Sequence, residues 1–357
     1  MPGHDIITIG ASAGGVEALS ALARLLPADL PASVFVALHV PPHGMSVLPQ
    51  ILSRGGPLPA GHVEDGEAIA PGRIYVAPPD HHLLIDRGTL RLSRGPKENG
   101  FRPAIDPLFR SAARWHGSRV IGVVLSGTLD DGTAGLRAIK SRGGLAVVQD
   151  PDDALFPNMP RNALDLVAVD HVAKAPEIAG LLGRLARIEA SRGAADPVPD
   201  AMSTEDAMAA FDLGAFHADA HPGTPSGFGC PDCSGVLWEI QDGEMIRYRC
   251  RVGHAWSPAG LLAEQAQAME TALWTAFRAL EDRAALASRM AERFRARGQE
   301  RPAARFAGQA KEFRERAALI RQVLLRDEPL VDPIVGPNPS GPPREGEAGA
   351  GRGGTPG

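Results

Sequence analysis

Residues 6–16, reading Ile-Ile-Thr-Ile-Gly-Ala-Ser-Ala-Gly-Gly-Val, constrain the fold more than any other stretch of the chain. A β-branched run stops at Gly10-Ala11-Ser12-Ala13-Gly14-Gly15, and apolar residues at helical spacing (Val16, Leu19, Leu22, Leu25, Leu26) follow at once. The pattern predicts a strand, a tight glycine turn and a helix. Such a turn lifts Ser12 out of the sheet and sets its hydroxyl beside the amides of a helix start, as a serine nucleophile and its oxyanion hole require. Three other readings share the turn. A dinucleotide fingerprint needs glycine where Ser12 stands and an acidic residue ending the next strand, which instead ends in His39. A phosphate-binding P-loop needs a following Gly-Lys-Ser/Thr, which this stretch lacks. A bare anion-binding helix start stays open on this stretch alone.

The turn heads a long alternation of strand and helix patterns. Strands are predicted over 5–11, 33–40, 73–77, 120–127, 145–149 and 167–169, each a short and nearly continuous apolar run, as strands buried on both faces are. Helices are predicted over 15–26, 46–53, 106–116, 132–142 and 175–190. The fold class is therefore α/β, a doubly wound and mostly parallel sheet. Between His81 and Ser93 the alternation around Asp86-Arg87-Gly88 predicts an antiparallel edge hairpin.

In such sheets ligands bind beyond the carboxyl ends of the strands. Three chemically able residues fall at those ends: Ser12 after the first strand, His39 closing the second, and Asp131 in Leu125-Ser126-Gly127-Thr128-Leu129-Asp130-Asp131-Gly132. Together they supply a nucleophile, a base and an orienting acid. Their chain order, Ser-His-Asp, differs from the Ser-Asp-His order of the α/β-hydrolases. The blander alternatives are a packed histidine at 39 and an aspartate at 130 or 131 that caps the next helix.

Ile9-Gly10-Ala11-Ser12-Ala13-Gly14-Gly15, the stretch Gly72-Arg73-Ile74-Tyr75-Val76-Ala77-Pro78-Pro79-Asp80-His81-His82-Leu83, Arg102-Pro103-Ala104-Ile105-Asp106-Pro107-Leu108-Phe109 and Asp131-Gly132-Thr133-Ala134-Gly135 occur in that order. With these motifs, residues 5 to about 190 resemble the catalytic domain of the bacterial chemoreceptor methylesterases, the CheB family. The resemblance implies hydrolysis of glutamate γ-methyl esters on methyl-accepting chemoreceptors, with release of methanol, and a related deamidation of receptor glutamines. It places the nucleophile on Ser12, the base on His39 and the acid on Asp131 rather than Asp130, with no catalytic cofactor. Many members carry threonine where this chain has Ala13 and methionine where it has Thr128, both close to the implied oxyanion site. A regulatory or scaffold protein with a weakened esterase site is therefore the alternative reading, and a general carboxylesterase a third. His43, His81 and His82 read as surface residues near the same edge, and Arg102 and Asp106 as positioning the loop and capping the next helix. The family's usual companion is an N-terminal phosphoacceptor domain. With the first strand predicted at residue 5, none is expected ahead of it, and control is expected to come from elsewhere.

The chain has 357 residues, so appendages beyond one domain are expected, and the domains read as 1–190 catalytic, 191–225 acidic linker, 226–257 zinc ribbon, 258–327 helical hairpin and 328–357 disordered tail. From Ala194 to Met245 there are ten acids and no lysine or arginine, with at most a short helix over 205–211. Cys230-Pro231-Asp232-Cys233, sixteen further residues and Cys250-Arg251-Val252-Gly253-His254 have the spacing of a closed structural zinc site, with His221 as a substitute fourth ligand. Two strands are expected around the Asp242-Gly243 turn inside it. Apolar positions Ala266, Met269, Leu273, Ala276 and Leu280, then Phe306, Ala310, Phe313, Ala317, Ile320 and Leu324, predict two antiparallel helices that pack on themselves or dock a partner or second subunit. From Gly336 onward, 13 of 22 residues are Gly or Pro. Net charge −5 and a pI near 6.1 argue against general nucleic-acid binding. No apolar run reaches the length of a membrane span and the N-terminus lacks a signal-peptide pattern, so a cytoplasmic protein is expected, without membrane insertion.

Overall fold

The computed structural model describes residues 3–191, 198–217 and 223–325. The predicted tail and His221 lie outside the described residues.

The first strand, β1 (Ile6–Ala11), is buried along its whole length, and α1 (Gly15–Leu25) starts after a three-residue turn. Then come β2 (Ser33–Leu38), α2 (Leu48–Gly55), β3 (Ala60–His62) and β4 (Ile74–Val76). The hairpin β5 (His82–Ile85) and β6 (Leu90–Ser93) leads to α3 (Ile105–His116) and β7 (Val120–Val124). The domain closes with α4 (Thr133–Ser141), β8 (Leu145–Gln149), α5 (Asn158–Leu166), β9 (His171–Ala173) and α6 (Ala175–Leu185).

Seven of these strands form one sheet in the order β3-β4-β2-β1-β7-β8-β9, and every pairing in it is parallel. From β1 the chain winds outward through β2 to β4, returns across the sheet and winds the other way through β7 to β9. The two directions part between β1 and β7, the kind of switch point at which open sheets bind ligands. Alternate side chains go to opposite faces. Ile7, Ile9, Ile121 and Val123 pack with residues of α1, α2 and α6, while Ile6, Val120 and Val124 pack with residues of α3, α4 and α5. The β5–β6 hairpin forms a two-stranded sheet of its own on that second face, where Leu83, Ile85 and Leu90 join the α3 core.

Sequence and structure differ at several points in this domain. Residues 167–169 are not a strand; the chain there leaves α5, and the outer strand comes two residues later as β9. Strand β3 is only three residues, Ala-Gly-His, and carries no apolar run to announce it. His82 is fully buried, its Nδ1 accepting from the Ala104 amide (3.3 Å) and its Nε2 facing the Pro96 carbonyl (2.9 Å), so it is no surface residue.

Beyond residue 198, α7 (Asp200–Ala209) and α8 (Leu213–His217) precede a four-stranded antiparallel sheet of β10 (Thr224–Gly229), β11 (Val236–Asp242), β12 (Met245–Cys250) and β13 (Ala255–Trp256). The helices α9 (Pro258–Ala296) and α10 (Glu300–Leu324) pair along a seam of small residues, Ala284, Ala287, Ala291, Ala303, Ala310 and Ala317, closed near the turn by stacked Phe294 and Phe306. No helix among the described residues is long and apolar enough to cross a membrane.

Helix α7 is acidic, yet Glu205 and Asp206 are buried. Glu205 accepts from both terminal nitrogens of Arg247 on β12 (2.9 and 3.0 Å), and Arg114 on α3 donates to Asp206 (3.3 Å). Glu98, in the loop ahead of α3, accepts from Arg110 of α3 (2.8 Å) and from Arg249 of β12 (3.0 Å). One buried charge cluster therefore ties α3, the 94–104 loop, α7 and the C-terminal sheet together. Burial pushes Glu205 up, but Arg247, Arg249 and Arg110 outweigh it and hold the carboxyl below its usual range. A carboxyl depressed by folding stabilises the chain fully above its unfolded value, near 4.5, and loses that contribution as pH falls through the folded value. Glu205→Gln leaves buried arginines without their counter-charge, and such a loss costs about 3–5 kcal/mol. Urea unfolding at neutral pH is expected to show that loss, with a flatter pH dependence below pH 4.5 in the variant than in the wild type; equal midpoints would contradict it.

Candidate active site and metal cluster

Ser12 sits on the turn between β1 and α1. Gly14 has φ +69°, and a Cβ there would lie 2.7 Å from the Ser126 hydroxyl and 2.9 Å from Leu155, so the turn requires glycine on both counts. The Ser12 amide donates to the Ser126 carbonyl (2.9 Å) and its carbonyl accepts from Gly15 (2.9 Å), which fixes the backbone. The amides of Ala13 and Gly14 donate no hydrogen bond among the described residues. They are available to a developing oxyanion. Gly127, three residues past β7, presses on the serine: a Cβ there would meet Ser12 Cβ at 2.9 Å and the Met159 sulfur at 2.0 Å.

Parallel pairing of β1 with β2 brings the residue after β2, His39, beside Ser12. Its Nδ1 lies 3.1 Å from Ser12 Oγ, and its Nε2 lies 2.7 Å from Asp131 Oδ2. With Nε2 carrying the proton for Asp131, Nδ1 is the free acceptor for the serine hydroxyl. The ring is thus used in the opposite sense from the commoner triad, in which Nε2 faces the serine. Phe101 stacks on the imidazole at 3.7 Å between centroids and 7° between planes, which fixes the plane of the ring. The His39 and Asp131 side chains are 4% and 2% exposed, and water competes little for their bond.

Asp131 takes more than the histidine. Its Oδ2 also accepts from the Ile105 amide (2.7 Å), and its Oδ1 accepts from Asn99 Nδ2 (3.1 Å) and from the amides of Gly132 (3.0 Å) and Asp106 (3.3 Å). Ile105 and Asp106 open α3, so the carboxylate occupies a helix N-terminus. Burial would raise Asp131, but His39, the Ile105 amide and Asn99 outweigh it and hold the carboxyl below its usual range. Its neighbour Asp106 goes the other way: burial first, then the Asp131 charge, push it well above that range. The negative charge of the pair is therefore concentrated on Asp131.

The adjacent aspartate has different work. Asp130 accepts from the Ser257 hydroxyl (2.6 Å) and, raised by burial and by Asp131 to about 6, has no bond to His39 among the described residues. Asp106 accepts from the Gly135 amide in the first turn of α4 (2.6 Å), and Arg102 is spent on Asp80 and on the Arg94 and Gly95 carbonyls. His43 is exposed, and His81 Nδ1 faces the Pro79 carbonyl at 2.9 Å. A cavity of about 340 Å³ opens over Ser12 and His39 between Pro41-Pro42 and Gly100-Phe101-Arg102. On the loops after β2 and β8, Met45, Val47, Leu155 and Phe156 are exposed apolar side chains. Asn99, Phe101 and Ser257 went unnoticed in the sequence; only the placement of Asn99 and Phe101 just before Arg102-Pro103-Ala104-Ile105-Asp106 hinted at a role.

In the C-terminal sheet, one ligand atom each from Cys230, Cys233, Cys250 and His254 lies within 4.8 Å of the others. The Cys233–Cys250 sulfurs are 3.6 Å apart, and His254 Nδ1 is 3.7 and 3.5 Å from the sulfurs of Cys230 and Cys250. Tetrahedral zinc with ordinary Zn–S and Zn–N bonds sets these edges at about 3.8 and 3.6 Å. The cluster has the size to bind a metal ion, and Asp232 lies 3.8 Å from the far nitrogen of His254.

The family profile described as CheB methylesterase matches residues 7–182. A putative protein-glutamate methylesterase/protein-glutamine glutaminase of Leptospira interrogans is 38% identical over 183 residues, 51% of this chain and 95% of the relative. The chain belongs to the CheB methylesterase family. A second relative, protein-glutamate methylesterase/protein-glutamine glutaminase 2 of Anaeromyxobacter dehalogenans, is 39% identical over 183 residues, 51% of this chain and 54% of its own length. The crystal structure of the Thermotoga maritima CheB methylesterase catalytic domain is 33% identical, covers 51% of this chain and 98% of that one, and aligns with a TM-score of 0.49. Within this CheB domain, Ala13 contributes its carbonyl to the Ser126 hydroxyl (2.8 Å), and Thr128 is exposed. Because nothing separates Gly127 from Ser12, Gly127→Ala is expected to cost about 1–3 kcal/mol by overpacking. It should also lower kcat for ester hydrolysis; a variant with wild-type melting and turnover would show that the contact is slack.

Proposed function

We propose that this CheB-family chain is a serine hydrolase that removes the methyl group from glutamate γ-methyl esters of methyl-accepting chemoreceptors, releasing methanol, and deamidates receptor glutamines by the same route. The observation that carries the reading is the continuous relay Ser12 Oγ, His39 Nδ1, His39 Nε2 and Asp131 Oδ2, at 3.1 and 2.7 Å. Ser12 Oγ attacks the γ-carbonyl as His39 Nδ1 takes its proton, and the Ala13 and Gly14 amides receive the oxyanion. His39 returns the proton to the departing methoxide, leaving an acyl-serine and methanol. Water, deprotonated by His39, then attacks the acyl-serine and frees the glutamate carboxylate and the Ser12 hydroxyl. On a glutamine the leaving group is ammonia. Throughout, the Asp131 charge balances the imidazolium that forms in each half. Exposed Met45, Val47, Leu155 and Phe156, on the loops that follow β2 and β8, suit a protein substrate better than a small ester.

The C-terminal sheet is read as a zinc ribbon, with Cys230, Cys233, Cys250 and His254 as a complete set of four ligands and so a structural site. Zinc there supplies a cross-link that a sheet this small needs to fold. Cytoplasmic placement is supported by the three cysteines, all gathered in this cluster and none in a disulfide.

Ser12→Ala and His39→Gln are each expected to lower methanol release from a methyl-labelled receptor by several orders of magnitude, without additivity in the double variant. Substantial turnover in Ser12→Ala would remove the serine mechanism, and wild-type protein inert on that receptor would favour the regulatory scaffold. Elemental analysis of the purified chain should find about one zinc per chain, and Cys230→Ser should lose it and melt earlier. Zinc-free protein with wild-type melting would sink the ribbon assignment.

A further inference from the structure

The CheB match ends at residue 182, yet the support of the catalytic acid continues far beyond it. Asn99 donates through Nδ2 to Asp131 Oδ1 (3.1 Å), and its Oδ1 accepts from the Ser257 amide (2.8 Å). Its own amide donates to the Ala255 carbonyl (2.8 Å), while the Ala255 amide donates to Lys97 (3.3 Å). Strand β13 thus lies along the loop that carries both Asn99 and the Phe101 ring stacked on His39. The Ser257 hydroxyl caps α9 at Gly260 (2.9 Å) and donates to Asp130 (2.6 Å). Behind the loop, Glu98 is held by Arg249 of β12 and Arg110 of α3. A cavity of about 330 Å³ lies beside Asn99, lined also by Asp130, Thr133, Trp256 and Ser257, so close packing does not by itself fix the loop on that side. Hydrogen bonds do.

We propose that Asn99 is a positioning residue for the Asp131–His39 pair and that the C-terminal module, through Ala255 and Ser257, fixes it in place. The ribbon and the start of α9 are then working parts of the esterase rather than passengers. This rests on the serine mechanism above. Asn99 directs one of the four atoms that hold Asp131 Oδ1 and Oδ2 against the α3 start, and a carboxylate free to rotate there no longer presents Oδ2 to His39 Nε2. The effect belongs to the chemical step and not to docking of the receptor, since Asn99 lies behind Asp131 and does not line the cavity over Ser12.

The test compares full-length wild type, Asn99→Ala, Asn99→Asp, Ser257→Ala and Ser257→Pro on a methyl-labelled receptor, with Ser12→Ala alongside. Asn99→Asp keeps the acceptor for Ser257 and, once ionised, has no donor for Asp131. Ser257 has φ −75°, which proline adopts, so Ser257→Pro removes the amide donor, and Ser257→Ala reports the hydroxyl alone. Both Asn99 variants are expected to lose about 10–100-fold in kcat with KM unchanged, the scale of a small misplacement of a catalytic group. In Asn99→Asp the acidic limb of kcat/KM should move to higher pH, because a second carboxylate favours the protonated His39–Asp131 pair. Ser257→Pro should lower kcat beyond Ser257→Ala, and adding it to Asn99→Ala should cost nothing more. If Asn99→Ala melts early, the difference between the two Ser257 variants decides the question in its place. Wild-type kcat and pH profiles in the Asn99 variants, or a change in KM alone, overturn the proposal while an inert Ser12→Ala leaves the serine mechanism standing. An active Ser12→Ala removes both.

Discussion

A carboxylate taken out of water must be given donors, and Asp131 receives five of them: His39, Asn99 and the amides of Ile105, Asp106 and Gly132. Much else in the domain is arranged around that requirement. Helix α3 begins where its first two amides reach the carboxylate, so α3 must run beneath the switch point between β1 and β7. Asp106, one of the two, is itself pushed toward its neutral form, which removes a repulsion that would otherwise compete with the imidazole. Gly10, Gly132 and Gly135 make room for this helix: a Cβ at each would lie 2.3 to 2.8 Å from Ile105 or Phe109.

The C-terminal half attaches to the same helix by charge and to the loop ahead of it by a β-bridge between Glu98 and Ala255. Arg110 leaves the buried face of α3 and meets Glu98, which in turn meets Arg249 from a strand of the cysteine-bearing sheet. Buried ion pairs contribute little net stability on average, but breaking one is expensive, and their geometry admits few alternatives. The cluster therefore sets the angle at which the sheet meets the catalytic domain, and with it the position of Ala255 and Ser257.

The parts of the fold that showed in the sequence are those with local signatures. Strands β1, β2, β7 and β8 are continuous apolar runs, and the glycine turn at Ser12 needs no distant information. The residues His39 and Asp131 were legible because parallel topology puts every strand's carboxyl end on one rim. Shorter elements escaped. Helix α5 begins at Asn158 with Pro157 before it and Pro160 in its first turn, which reads as loop until one notes that a first turn tolerates proline. The acids of α7 looked solvated because their partners are remote, 42 residues away for Arg247 and 92 for Arg114. Asn99 was invisible for the same reason: a carboxamide in a Lys-Glu-Asn-Gly loop has no signature until residues 131 and 257 are brought to it.

Chain order adds one more consequence. Ser12, His39 and Asp131 are all translated within the first 131 residues, whereas the strand that lies along the 94–104 loop comes only at 255–256. A growing polypeptide thus completes its parallel sheet long before that strand leaves the ribosome. On the proposed role of Asn99, full turnover awaits residues 255–257, well after the sheet itself has closed.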